Sequence, residues 1–500
     1  MSLTFAHFFF ISFLIFFLFE KNIAAFLGMK GTLAVVLLSI VSCLLVGMTS
    51  PLQRSLRFGR RSFAAAEFAR ATSRSRRRHF GSFGSESGGT SGSASGPPIG
   101  PSVSSIGWAF EYTPPTPKFT KSNNAFLPRK VGQKTFALGD IHGDVGKLVA
   151  ALRASELVEV ADSGGSNPTV DDLMWAGGDS ILVQVGDVVD RGSTEVVCLH
   201  LLSRLSRQAA EAGGGVVLCL GNHEILNTLG LFNYADRGGN EEFESVFGPL
   251  FDKDNDDENG NGNGNGNGNG REPSWRLHYA GNEPARWRCY EPGGLFTSFN
   301  LLNNCVLGTQ VGRSVFVHAG LTKQHLEDHG GIQGMNDSAR KWLESAVYTP
   351  PHTSREKLSR SKEDIISCAQ NRARSISSAM PEFLSGGPTD RASPVWMRDY
   401  SKPPDVTPAN ASATPLALEA LSYIGNGASR FVVGHTPQTC INSSCQGMVW
   451  RIDVGMSAGV LDNAPEVLEI VHGEESDEIF VIRAGVSDRI SASQRKCRAG

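Results

Sequence analysis

Nine cysteines are spread through 500 residues with no Cys-x-x-Cys pair among them, which excludes a zinc ribbon and a thioredoxin-type redox centre. The odd count also disfavours a complete disulfide framework. Cys440 and Cys445 are close enough to bridge a loop, but read as two reduced thiols. Neither sign of charge is in excess: the formal net charge is -3, so no general polyanion-binding surface is expected and nucleic acid is not the main partner. No repeat of about 20–50 residues is visible. What is present, 40% hydrophobic and 19% charged residues, suffices to bury at least one sizeable core.

The two long apolar runs both lie near the start, at 4–19 and 31–48. The second follows Met29 and Lys30 and precedes Gly47-Met48-Thr49-Ser50, the layout of a signal peptide, which makes Met29 a candidate start. From Pro51 to Phe80 there are nine arginines against one acid, Glu67, a transit-peptide composition. Together they resemble the bipartite presequence of proteins sent to plastids bounded by extra membranes, although the first apolar run is not explained by it. The competing expectation is a pair of membrane anchors with a basic flank, the endomembrane as destination and these segments as the only membrane contact. A Gly/Ser/Pro-rich linker at 81–118 follows. The folded domain is expected over 119–485, with a tail at 486–500.

Inside that domain, 252–270 is low in complexity. Asp252, Asp254 and Asp256 have the opening spacing of an EF-hand, but Asp257 stands where its glycine belongs and Asn263 where its glutamate belongs, so a surface insertion is expected instead of a calcium loop. A second, Ser-rich insertion is expected at about 350–394. Asn336, Asn410 and Asn442 open Asn-x-Ser sequons, which matter only in a secretory compartment.

Five segments share one pattern, an apolar strand running into polar residues: FALGDIHGDVGKL at 136–148, ILVQVGDVVDRG at 181–192, VVLCLGNHE at 216–224, SVFVHAGL at 314–321 and RFVVGHTP at 430–437. Open α/β sheets place their sites at such ends. Asp140, His142 and a shared carboxylate, Asp187, suit one divalent ion; Asp187, Asn222, His318 and His435 suit a second. Imidazole, carboxylate and amide oxygen together favour Mn, Fe or Zn over a thiolate-type site. Water held between two such ions is acidified and becomes a nucleophile. Arg191 and His223 are left without a metal role. The planar guanidinium of Arg191 suits phosphate oxygens, and His223 is placed to protonate a leaving oxygen, with Asp190 on its other nitrogen.

Gly-Asp-Ile-His-Gly, Gly-Asp-Val-Val-Asp-Arg-Gly, Gly-Asn-His-Glu, Val-His-Ala-Gly-Leu and Gly-His-Thr-Pro, in this order, resemble the phosphoprotein phosphatase branch of the calcineurin-like metallophosphoesterases over about 133–470. The resemblance implies an α/β fold with two mixed β-sheets in a central sandwich flanked by helices, two metal ions, and phosphoprotein substrates. It gives Asp140, His142, Asp187, Asn222, His318 and His435 as metal ligands, His223 and Asp190 as the acid pair, and Arg191 as a phosphate arginine, in agreement with the chemistry read above. Ser-Ala-Pro-Asn-Tyr, a mark of eukaryotic Ser/Thr members, is missing. SPVWMRDYS at 393–401, WRIDVGMSAGV at 450–460, HEILN at 223–227 and WRCYEPGGLF at 287–296 instead resemble the Shewanella-like protein phosphatases. That likeness gives Arg398 as a second phosphate arginine, with Trp396 packing beside the site, and leaves Ser/Thr against Tyr preference open. The rival activity is a calcineurin-like hydrolase of nucleotides or dinucleoside polyphosphates; a non-catalytic scaffold is disfavoured because no ligand is lost.

Overall fold

The computed structural model describes residues 125–161, 169–252, 285–297, 305–345, 362–386, 393–402, 413–486 and 489–491. The N-terminal segments and linker at 1–118, nearly all of the Asn-Gly run, and the sequon at Asn410 lie outside them. No helix among the described residues is long and apolar enough to cross a membrane.

Two mixed sheets form the frame. One runs, edge to edge, through Ile490–Ser491, Glu478–Arg483, Glu466–Val471, Lys134–Leu138, Ile181–Gln184, Gly215–Cys219 and Cys305–Val306. The other runs through Phe126–Leu127, Gly308–Val311, Ser314–Val317, Arg430–Val433, Val449–Arg451 and Asn442–Ser444. The α/β architecture with two mixed sheets and accompanying helices is thus the one expected. In the first sheet Lys134–Leu138, Ile181–Gln184 and Gly215–Cys219 are mutually parallel; in the second, Ser314–Val317, Arg430–Val433 and Val449–Arg451 are. Every residue of Ile181–Gln184, Gly215–Cys219 and Ser314–Val317 is buried, as unbroken apolar runs must be when both faces of a sheet are covered. Parallel strands end on the same side, so each sheet delivers three carboxyl ends to one place.

The helices hold those ends in register. Asp144 caps the helix Val145–Ala154 by accepting from Lys147 N at 3.1 Å, and the helix buries Val145, Leu148, Val149 and Leu152 on one face. The helix Glu195–Glu211 buries Val196, Leu199, Leu202 and Leu205 in the same way. Its first amides, Val196 N and Val197 N, donate to Glu242 at 2.8 and 3.1 Å, so a distant carboxylate caps it.

Three local expectations meet new facts. The polar stretch at 350–394 contains a helix, Lys362–Ala379, whose Arg372 guanidinium lies 4.7 Å from the Trp287 ring centre and pairs with Glu291. Asn336 is 3% exposed and holds backbone: its Oδ1 accepts from Leu307 N and Gly308 N, so a glycan on this sequon would disrupt both bonds. Cys440 is disulfide-bonded, whereas Cys445 is a free, buried thiol. The two are therefore neither bridged to each other nor both reduced.

Candidate metal centre and acid pair

All five strand ends converge. Asp140 lies two residues beyond Leu138, Asp187 three beyond Gln184, Asn222 three beyond Cys219, His318 directly after Val317, and His435 two beyond Val433. The turns are held together across the gap: Ile141 N and His142 N both donate to Asp187 O at 3.0 Å, and His435 N donates to Asp140 at 3.2 Å. His142, Asp187, Asp190, Arg191 and His435 all have positive φ, between 48° and 68°. Asp and His tolerate this region better than most residues, yet it still stores strain that the surrounding bonds must hold. Gly221 explains one close approach: a Cβ there would lie 2.1 Å from Asp187 Oδ1.

Asp187 is the hub. Its Oδ1 accepts from His223 N at 2.9 Å, and its Oδ2 lies 3.4 Å from His318 Nε2, 3.8 Å from His223 Nε2 and 3.9 Å from His142 Nε2. His142 Nδ1 donates to Val189 O and His318 Nδ1 to Val185 O, each at 2.9 Å. A carbonyl can only accept, so both rings carry their proton outward and turn Nε2 inward. His318 Nε2 then lies 3.0 Å from Asn222 Oδ1 and 3.2 Å from His435 Nδ1. The groups within mutual ligand distance are His142, Asp187 and His223, and Asp187, His318 and His435. Asn222 joins the second through His318, and Asp140 borders it through His435 N.

Charge balance tests whether cations fit. Burial, reinforced by Asp453 and Asp187, raises Asp140 well above the carboxylate range. Burial also raises Glu224, with Asp187 adding to it, and pushes Asp453 to about 6. Burial and the positive charges of His223 and Arg191 take His142 down to about 3, and burial, with the charges of His318 and Arg398, holds His435 well below its ordinary value. Asp140, Glu224 and Asp453 are thus pushed toward their neutral forms. Burial would raise Asp187 too, but His318, His223 and His142 outweigh it and hold it low, and Asp187 in turn raises His318 against burial. His435 Nε2 is itself buried with no hydrogen-bond partner. Converging acceptors of this kind need a cation among them, and the oxygen and imidazole donors suit a divalent one.

Beside this cluster stands the acid pair. His223 Nδ1 donates to Asp190 Oδ2 at 2.6 Å, and both residues are buried. Burial opposes a charge on His223, but Asp187 and the Asp190 bond outweigh it and raise its pKa. Arg191 is partly exposed, stacked 4.8 Å from the Tyr234 ring centre, with its own N donating to Tyr234 O. Arg398 is partly exposed as well. Its segment is pinned to two of the strand ends: Ala319 N donates to Pro394 O, Tyr400 Oη to Leu321 O, and Ser401 Oγ to Thr436 Oγ1. Trp396 packs edge-on to His435 at 6.0 Å.

Sequence reading missed several groups that shape the site. Glu224 binds three backbone amides, those of Asp187, Val188 and Gly221, at 2.8–2.9 Å. Its place in Gly-Asn-His-Glu was visible, but its partners were not. Asp453 ends a sixth converging strand inside WRIDVGMSAGV. Tyr234 lies 5.0 Å from His223 ring to ring, and nothing in its local sequence marks it.

Parallel strand ends gathering carboxylates, imidazoles and an amide, with a buried His–Asp pair and two arginines alongside, define a metal-dependent hydrolase of anionic esters. The calcineurin-like phosphoesterase model matches residues 134–369. Shewanella-like protein phosphatase 2 of Arabidopsis thaliana is 30% identical over 366 residues, covering 71% of this chain and 80% of its own. Shewanella-like protein phosphatase 1 of Plasmodium berghei is 39% identical over 103 residues, 21% of this chain and 25% of its own. A solved cold-active protein-tyrosine phosphatase of a psychrophilic Shewanella species aligns with 73% of this chain at 18% identity and a TM-score of 0.45. On the family model and the plant relative, the chain belongs to the calcineurin-like phosphoesterases, among the Shewanella-like protein phosphatases.

Proposed function

We propose that this chain hydrolyses phosphate monoesters on phosphoprotein Ser, Thr or Tyr side chains. The observation that carries the reading is the His223–Asp190 pair at 2.6 Å, set 3.8 Å from the shared carboxylate Asp187 and flanked by Arg191 and Arg398. Asp140, His142 and Asp187 would hold one divalent ion; Asp187, Asn222, His318 and His435 would hold a second, with Mn, Fe or Zn the ions this donor set suits. When bound, such ions acidify water and stabilise charge on the attacking and leaving oxygens.

The chain's own residues do the rest. Arg191, its plane fixed by Tyr234, and Arg398, fixed by its pinned segment, bind phosphate oxygens and hold the ester in line. His223 delivers a proton to the leaving oxygen, and Asp190 keeps Nδ1 protonated so that Nε2 faces the ester. The names of the relatives favour phosphoproteins over nucleotides. The test is turnover by the purified Mn-supplemented protein of phosphoserine, phosphothreonine and phosphotyrosine peptides against a dinucleoside polyphosphate. Phosphopeptide hydrolysis supports the reading; cleavage of the dinucleotide alone overturns it.

A further inference from the structure

A buried guanidinium lies against the Asp190 oxygen that His223 does not use. Arg286, in the short helix Ala285–Tyr290, is 1% exposed. Its Nη2 donates to Asp190 Oδ1 at 3.1 Å and to Glu195 Oε2. Nη1 donates to Glu195 Oε1 at 3.1 Å and, more weakly, to Asn240 Oδ1 at 3.5 Å. Nε donates to Asn227 Oδ1 at 2.7 Å. The guanidinium lies 4.8 Å from the Phe243 ring centre, so packing fixes its plane and hydrogen bonds fix its rotation.

Asp190 has two oxygens with separate duties. Oδ2 takes the His223 proton at 2.6 Å; Oδ1 takes Arg286 Nη2 at 3.1 Å and Asn227 Nδ2 at 3.0 Å. Arg286 also orients that second donor, because bonding Asn227 Oδ1 leaves Nδ2 to face Asp190 and His223 O. Direct and relayed contacts thus act on the same carboxylate, whose backbone is held at φ 68°. We infer that Arg286, clamped by Glu195, is a positioning residue for the Asp190–His223 pair. It touches neither the ester nor the cation ligands, and works by denying the Asp190 carboxylate the rotation that would lengthen its bond to His223.

The inference rests on the proposed role of His223 only for its effect on rate, and a double-mutant cycle separates the two. Removing Arg286 alone leaves Glu195 buried and unpaired, a large penalty unrelated to catalysis. The probe is therefore Arg286→Met with Glu195→Gln, compared with Asp190→Asn and with the triple variant, in the full Mn-loaded chain. The paired change should lower kcat for a phosphoserine peptide by about 10–100-fold, the range typical of losing a group that orients an active-site histidine, with KM and metal content retained. Asp190→Asn should lower it more, and the triple variant should match Asp190→Asn within about two-fold, since Arg286 has nothing left to position. Arg286→Lys, which keeps the charge but not the fork, should recover only part of the loss. Additive losses in the triple variant, or an Arg286→Met with Glu195→Gln protein of wild-type rate, overturn the inference. Non-additive losses that are equal for a phosphoserine peptide and an aryl phosphate leave Arg286 as the positioner and instead overturn proton donation by His223.

Discussion

Replacing His223 by Asn separates proton donation from every other role the site could give this residue. The backbone consequences are small: residue 223 sits in the first turn of Asn222–Thr228, and its N would still donate to Asp187 Oδ1, now at 2.9 Å. An Asn amide can also reach toward Asp190, but it has no proton to release to a leaving oxygen. General acid catalysis contributes about 10²–10⁴-fold, or roughly 3–5 kcal/mol of barrier at 1.36 kcal/mol per decade. Nearly all of that should be lost for a phosphoserine peptide, whose alkoxide leaves poorly. An aryl phosphate with an activated phenol needs little protonation, so its loss should be smaller by about ten-fold or more. Steady-state kinetics on both substrates, with metal content measured on the same preparations, is the assay. His223 Nε2 lies within ligand distance of His142 and Asp187, so metal content matters: if His223 holds a cation, the variant loses metal and both substrates fail together. Equal losses with full metal content and rate-limiting chemistry refute proton donation outright.

Arg191→Ala and Arg398→Ala should each slow both substrates to a similar extent with metal retained, because a phosphate contact serves any leaving group; a loss confined to the alkyl ester would contradict this. Asp477, its side chain fully buried, bonds Arg313 and Arg430 at 2.8 Å each. Burial would raise its carboxyl, but His472 and Arg430 outweigh it and take it below the usual range. Asp477→Asn should therefore cost about 3 kcal/mol at pH 7. A lowered folded pKa stabilises above the unfolded value and ceases to do so as pH falls, so the gap in unfolding free energy between wild type and variant should narrow below about pH 4; a gap that widens there is the contrary result. The proposed plastid destination of residues 29–80 predicts that a fluorescent fusion reaches that organelle and fails to when 31–48 is deleted; retention on the endomembrane favours an anchor.

The metal cluster was legible because parallel strands impose a common end, and each end announces itself locally by an apolar run stopping at Gly, Asp, Asn or His. Arg286 was not, since its partners Asp190 and Glu195 lie 96 and 91 residues away in sequence, and a lone arginine next to WRCYEPGGLF has no local mark of burial. Glu195 and Asn227 are hidden for the same reason. The helix Lys362–Ala379 was obscured by composition: a Ser- and Arg-rich stretch reads as solvated, yet Ile376 and Arg372 are each 1% exposed, Arg372 burying its stem and stacking on Trp287. The Asn336 sequon is plain as a pattern, but its use as a buried backbone bridge depends on Leu307 and Gly308, 29 and 28 residues away.

The central claim, that Asp187 is the carboxylate shared by two cation sites, is tested most directly by the metal stoichiometry of Asp187→Asn. Asp187 Oδ2 is the point toward which His142, His223 and His318 turn their Nε2 atoms, within 3.9 Å, and a neutral amide offset by no charge holds two cations poorly. Elemental analysis of the purified variant after loading should find both ions weakened together, with phosphatase turnover abolished and the fold intact by circular dichroism. Two tightly held ions per chain with near-normal turnover would contradict the account at its centre.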